Sequence, residues 1–460
     1  MKTLTIPMLC VLVCLAVSDV SATTITVDWS GTGDYTTIQA GIDSAATGDT
    51  VLVLVGTYIG AGNRNLDFVG TNLVLMSDVG SATTIVDCED AVRGFHFHNG
   101  EDTTSVVRGF TITDAVADSG AGAFCENGSS PRFEDCVFLS NTAQKRGGGL
   151  CCLNSSPIVR DCRFEANLAS QSGPNDGHGG GMACLGGSSP LVSGTDFALN
   201  QAYYSGGGLY ADYSSPICQG CTYTGNNLIG YGQEGAGARV SHSDGTTFTE
   251  CTFMENGAAV AVVGGGLHVN SSDVTLTDCL FISNTAGNSG GAHFTYSAGG
   301  TISGCTFAKN VTTWGAAAAG LNCVYSSNPT ITNCTFADNQ GDHIWCHDSS
   351  PTIEYSILAF SALLGPVNCR DGTETPYIHH CFVYGNADTD TLCGGNFHDI
   401  ENLDPLFCDM PSGNYTLCGD SPCLAGETWP DLVGAESQGC PACGNAVEPL
   451  SWGAIKALYR

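Results

Sequence analysis

The apolar positions of this chain fall in short alternating runs, each bounded by Gly, Ser-Pro or Asn, and almost nowhere at the three-to-four spacing of a helix. One arrangement recurs: a β-branched or aromatic residue, two spacers, Cys, one spacer, an aromatic, two spacers, Asn. It reads FEDCVFLSN ending at Asn141, VRDCRFEAN at Asn167, CQGCTYTGN at Asn226 and FTECTFMEN at Asn256. It continues as LTDCLFISN at Asn284, ISGCTFAKN at Asn310, ITNCTFADN at Asn339 and IHHCFVYGN at Asn386. Degenerate copies place Thr195 and Ser356 where Cys is expected, and an earlier one places Phe110 and Ile112 at the two inward positions. From Phe110 to Cys381 the anchors are spaced about twenty-seven residues apart.

Two further signatures sit between the anchors. Glycine triplets precede an apolar residue at Leu150, Met182, Leu209 and Leu267, and Ser-Ser-Pro turns end at Pro131, Pro157, Pro190, Pro216 and Pro351. Each repeat therefore holds three short β-prone runs separated by turns. This predicts an all-β fold, a single-stranded right-handed parallel β-helix of about eleven or more coils. Each strand would pair with its equivalent one coil along, about 4.8 Å away. A propeller fits less well, because a blade needs about forty residues and four strands. The Asn positions suit tight bends, where an amide side chain bonds to backbone and left-handed φ is tolerated.

In such a stack the repeat cysteines align as an interior ladder. A second inward ladder is expected at Cys125, Cys152, Cys184, Ala211, Val240, Val269, Cys323, Cys346 and Cys369. Replacement of Cys by Thr, Ser, Phe, Ala and Val marks these positions as small buried space-fillers, since a free thiol behaves as a compact hydrophobe. The repeat ladder is thus read as mostly free thiols. No metal is assigned: Cys218-Gln-Gly-Cys221 and Cys440-Pro-Ala-Cys443 each stand alone, and His96 and His98, alternating on one strand, are read as surface groups.

The chain opens with Lys2, an apolar run from Leu4 to Val17 and the small-residue site Val20-Ser21-Ala22, which reads as a signal peptide over residues 1–22. A lipid anchor at Cys10 or Cys14 is disfavoured by the bulky Leu9 and Val13. No transmembrane segment is expected, and the protein is placed as secreted or at the cell surface or outer envelope, as a monomer. The net charge of −31 arises from a shortage of Lys and Arg and excludes nucleic acid as a partner, since its binding needs basic residues. Calcium would suit such a surface, but no motif specifies it, and no cofactor is assigned.

Residues 23–104 are read as an N-terminal cap and the first coils, 105–390 as the β-helix repeats, 391–443 as the closing coils and 444–460 as a tail. Within the cap, Ile38, Ile42 and Ala45 lie at helical spacing and predict a short amphipathic helix over the open end of the core. The tail, with Trp452, Lys456 and Arg460, is either a capping helix or a sorting segment.

The stretch GTGDYTTIQAGIDSA followed by GDTVLVLVGTY resembles the opening of pectin-lyase-like right-handed parallel β-helix proteins, pectin methylesterases among them. The repeats resemble those of bacterial secreted and surface β-helix proteins. The ending, with NLDPLF at 402–407, YTL at 415–417, DSPC at 420–423 and LVGA at 432–435, resembles the way such helices close. This resemblance implies the fold but no particular chemistry. The catalytic sets of pectin methylesterases, pectate lyases and polygalacturonases are missing; only Gly177-His178-Gly179 matches a fragment of the last.

Two repeats are longer than the rest, with loops at 169–178 and 227–234. The coil between them carries Tyr203, Tyr204, Tyr210 and Tyr213, and Tyr231 lies in the second loop. Loops on a rigid scaffold concentrate binding groups. Aromatic rings stack on sugar faces, and Asp176, His178 and Glu234 could supply hydrogen bonds or calcium ligands, so these eight residues form the candidate ligand site; no catalytic residue is assigned. Three functions stay open: a binding or adhesive protein with polysaccharide as ligand, a polysaccharide lyase or glycoside hydrolase with an unrecognised site, or a structural surface repeat protein. The missing catalytic sets favour the first and lean against an enzyme.

Overall fold

A computed structural model describes residues 22–443 except 175, 231–232, 258–261 and 314–316; the predicted signal peptide and tail lie almost wholly outside the described residues. The chain winds into a parallel β-solenoid of about sixteen turns, more than the eleven counted from the anchors. The additional turns come from degenerate coils at both ends: Ile25, Val51, Leu75 and Val107 stack in register below Phe133, and Ile378 pairs with Phe397 above. Three sheet faces result: a broad sheet to which most coils contribute two strands, an 11-stranded sheet, and a narrower strip of short strands between them.

The core is built from the expected ladders. Phe138, Phe164, Phe197, Tyr223, Phe253, Phe281, Phe307 and Phe336 are buried and stack with centroids 4.6–5.0 Å apart and planes within 6°. The repeat cysteines from Cys136 to Cys381 are buried free thiols, with Thr195 and Ser356 buried in their places. Cys125, Cys152, Cys184, Ala211, Val240 and Val269 align rung by rung on the 11-stranded sheet.

The asparagines do more than turn the chain. Asn141, Asn167, Asn200, Asn226, Asn256, Asn284, Asn310 and Asn339 form a buried ladder in which each amide nitrogen donates to a backbone carbonyl of the preceding coil and, from Asn141 to Asn310, to the next asparagine oxygen at 2.9–3.1 Å; Asn339 ends the ladder on His343 Nδ1. The left-handed backbone expected at these bends falls one residue earlier, at Ser140, Ala166, Leu199 and Glu255. The asparagine side chain then points inward, where its four hydrogen-bonding groups must be paired.

The glycine triplets carry the chain from the narrow strip into the 11-stranded sheet. Gly147 has a φ of +65°, and a Cβ on Gly149 would stand 2.5 Å from Phe164 and 2.7 Å from the Gly181 carbonyl. Only glycine lets successive coils approach so closely at this corner.

Both ends are closed. The helix Ile38–Ser44 buries Ile38 and Ile42 over the first rungs, as expected. At the other end, the Cys369–Cys393 disulfide joins the last coils, and Cys408–Cys440 and Cys418–Cys443 staple the segment that follows. Residues 405–440 also fold back along the broad sheet. There Tyr415 covers Ala308 and Ala337, Asn333 donates to the Leu432 carbonyl at 2.7 Å, and Ala435 N–H donates to Thr335.

Candidate binding groove

Because strand side chains alternate, the residue before each rung of the inner ladder points outward from the 11-stranded sheet. Tyr210, Arg239, His268, His293, Asn322 and Trp345 form this row in register. Beside it stands a wall made where the chain approaches the glycine corner: Arg146, His178, Ser205 and Glu234 pair coil to coil, continued by Val263 and Asn288. The opposite rim is the corner that ends each strand, occupied by Tyr213, His242, Ser271, Tyr296, Tyr325 and Asp348. Floor, wall and rim together make a groove running along the stack axis.

At its N-terminal half the structure gathers several of the expected residues. His178 stacks on Tyr210 at 4.5 Å and Tyr204 at 5.9 Å, and Tyr203 meets Tyr204 edge-on at 4.9 Å. Gln171 donates to the Tyr204 hydroxyl at 2.8 Å. Arg239 pairs with Glu234 at 2.8 Å and lies 5.7 Å over the Tyr210 ring. Burial raises the pKa of the Tyr210 phenol, so it stays a neutral hydroxyl.

Other expected residues lie elsewhere. Tyr213, 62% exposed, stacks on His242 at 4.7 Å at the far rim rather than with Tyr203 and Tyr204, because the whole strand Leu209–Asp212 separates them. Asp176 accepts a hydrogen bond from Ser172 inside its own loop. Tyr231 lies outside the described residues.

The C-terminal half of the groove holds residues that sequence reasoning missed. A cavity of about 240 Å³ is lined by Glu234, His268, His293, Tyr296, Tyr325, Trp345, His347 and Arg370. His268 and His293 stack 5.3 Å apart and nearly parallel, and the Nδ1 of each is buried without a partner. Burial pushes His293 down to about 3, and burial with the neighbouring His293 and Arg239 lowers His268 as well. Both rings are therefore neutral at neutral pH. Tyr296 and Tyr325 stack at 5.2 Å, and Arg370 contacts His347 at 3.2 Å. These positions were within reach of the repeat register, since 210, 239, 268 and 345 each precede a rung of the second inward ladder.

The family description of a right-handed β-helix region matches residues 93–270 and 264–359. The chain belongs to this right-handed β-helix family. Among solved structures it is similar to pectate lyase Pel9A, at 12% identity and a TM-score of 0.43, over 91% of this chain and 98% of that one. It is also similar to the AlgE6 A-module of mannuronan C-5 epimerase from Azotobacter vinelandii, at 15% identity and a TM-score of 0.42, over 80% of this chain and 94% of that one. A third is the catalytic domain of a GH87 α-1,3-glucanase, at 11% identity and a TM-score of 0.28, over 77% and 64%. At these identities the likeness is one of fold alone. No curated protein sequence matches the chain.

Proposed function

We propose that this protein binds an extended polysaccharide along the groove of the 11-stranded sheet, as a secreted or cell-surface adhesive or binding protein. The observation that carries the reading is the rim. Its corner residues all adopt left-handed φ: Asn154, Gly186, Ser271 and Asp348 do so as small or polar residues, whereas Tyr213, Tyr296 and Tyr325 do so with φ of 49°, 55° and 53°. A bulky side chain in that region costs on the order of 1 kcal/mol, a strain retained at sites with another use. Tyr296 and Tyr325 remain 58% and 45% exposed and stand over the cavity with Trp345, so the core gains little from them. Rings so placed offer flat apolar faces to the C–H faces of sugars. The neutral imidazoles and Arg370 supply hydrogen bonds to hydroxyl and carboxylate groups. The three disulfides suit an oxidising compartment.

The test is a glycan array followed by affinity electrophoresis against the polymers that bind, with wild type compared with Tyr296→Asn/Tyr325→Asn. Retained folding stability with at least tenfold weaker binding is the expected result. Absence of binding by wild type to every polymer would overturn the reading.

A second reading rests on the partnerless Nδ1 atoms of His268 and His293 beside the Glu234–Arg239 pair. Neutral buried bases in a groove are what proton abstraction from a sugar ring requires. Incubation with uronan and neutral polysaccharides, followed for unsaturated products, new reducing ends or epimerised residues, tests it. A silent assay with wild type excludes it.

A further inference from the structure

The outward face of the 11-stranded sheet begins, at its N-terminal end, with a cluster that the groove does not use. His96 lies on the strand Phe95–Phe97 and His98 just beyond its end; Phe97 between them is buried in the core, and both imidazoles stand on the outer face. Their ring centroids are 4.0 Å apart. The coil after contributes Glu126, whose Oε1 lies 2.9 Å from His96 Nε2. The coil before contributes Asp67, whose Oδ2 lies 3.0 Å from His98 Nε2. His96, His98 and Glu126 thus converge from two successive rungs, with Asp67 of the coil before hydrogen-bonded to His98. The ligating atoms of His96, His98 and Glu126 all lie within 4.8 Å of one another.

Several features separate this cluster from an ordinary surface ion pair. The carboxylate of Asp67 is pre-oriented, because its other oxygen accepts the Val69 N–H at 2.7 Å. Arg93, the nearby cation, directs its hydrogen bonds to the carbonyls of Gly120 and Ser119 and lies over the Phe124 ring at 5.0 Å. Imidazole nitrogen with carboxylate oxygen is the donor set of borderline divalent metals rather than of calcium, which prefers oxygen alone. With metal–ligand bonds of about 2.0–2.1 Å, tetrahedral ligand atoms stand roughly 3.4 Å apart. The 2.9 Å His96–Glu126 contact opens by a few tenths of an ångström to reach this spacing, and the other ligand atoms already lie within 4.8 Å of one another.

We propose that His96, His98 and Glu126 form a binding site for a divalent transition metal of the zinc class, with Asp67 orienting His98, so that neighbouring N-terminal coils are tied together. Binding would replace the His96–Glu126 hydrogen bond by coordination across rungs, and would stabilise the folded chain through its affinity for that state alone.

The test uses the full chain, freed of metal by chelation. Titration with ZnCl2 is followed by calorimetry, and titration with CoCl2 by visible absorption, where tetrahedral nitrogen–oxygen coordination gives intense d–d bands. Wild type is expected to take up one more zinc per chain than His96→Ala/His98→Ala, and Asp67→Asn to bind at least tenfold more weakly. Zinc is expected to raise the thermal midpoint of wild type and to leave that of the double variant unchanged. Equal uptake by wild type and double variant would overturn the proposal. So would a wild-type protein whose midpoint and cobalt spectrum do not respond to metal, a result that does not depend on any variant folding. Calcium competing with zinc at equal concentration would also overturn the assignment of metal class.

Discussion

Asn226 sits in the middle of the asparagine ladder, and its removal measures what that ladder contributes. Its amide nitrogen donates to the Phe197 carbonyl at 2.8 Å and to Asn256 Oδ1 at 3.0 Å; its oxygen accepts from the backbone N–H and the amide nitrogen of Asn200, both at 3.0 Å. Asn226→Ala deletes all four bonds and leaves the Asn200 donors buried with nothing to bond. At about 1 kcal/mol for each buried bond, and more where a partner is orphaned, the loss is roughly 4 kcal/mol. The assay is urea unfolding followed by circular dichroism, comparing midpoints at a shared slope. Ser189→Ala, at an exposed turn, serves as the control and should stay within about 0.5 kcal/mol of wild type. Adding Asn200→Ala to Asn226→Ala should cost less than the sum of the singles, because the two share bonds. A loss under about 1 kcal/mol for Asn226→Ala, or strict additivity with Asn200→Ala, would refute the ladder as a stabilising element.

Acid should weaken the fold through the groove histidines. His293 titrates near 3 when folded and near 6.5 when unfolded, so its contribution is complete above about 6.5 and falls as pH drops toward 3; at pH 5 it has lost roughly 2 kcal/mol. His293→Phe should flatten that part of the pH–stability curve, and an unchanged curve would contradict the buried, neutral assignment. The repeat thiols should be inert to a thiol reagent in the native protein and react only after denaturation, since their burial excludes the reagent and, at Cys162 and Cys381, also raises the pKa; rapid native labelling would contradict the core placement. Reduction of the native protein should loosen residues 404–443, detected by proteolysis, while the ladder-built stack persists, because two of the three disulfides lie within that segment and the third joins only the last coils.

The sequence by itself determined the coil, the register and the two inward ladders. The reason is physical: in a stack with nearly constant period, identical positions must superimpose, so Cys136, Phe138 and Asn141 declare their neighbours without any knowledge of long-range folding. Parity then determined that Tyr210 and His268 point outward. What parity could not tell is which outward residues share a concave surface. The wall that turns the row of Tyr210, His268 and His293 into a groove comes from His178, Ser205 and Glu234, brought up at the glycine corner, a placement decided by close contact between coils. Tyr203 and Tyr213 are near in sequence, but only the folded coil shows that they stand on opposite sides of one strand. Likewise Ala308 and Ala337 read as ordinary variants of an exposed position until the C-terminal segment is seen to fold back and bury them. Local periodicity defines rungs; the surfaces where ligands can rest are made by segments that leave the period and return against it.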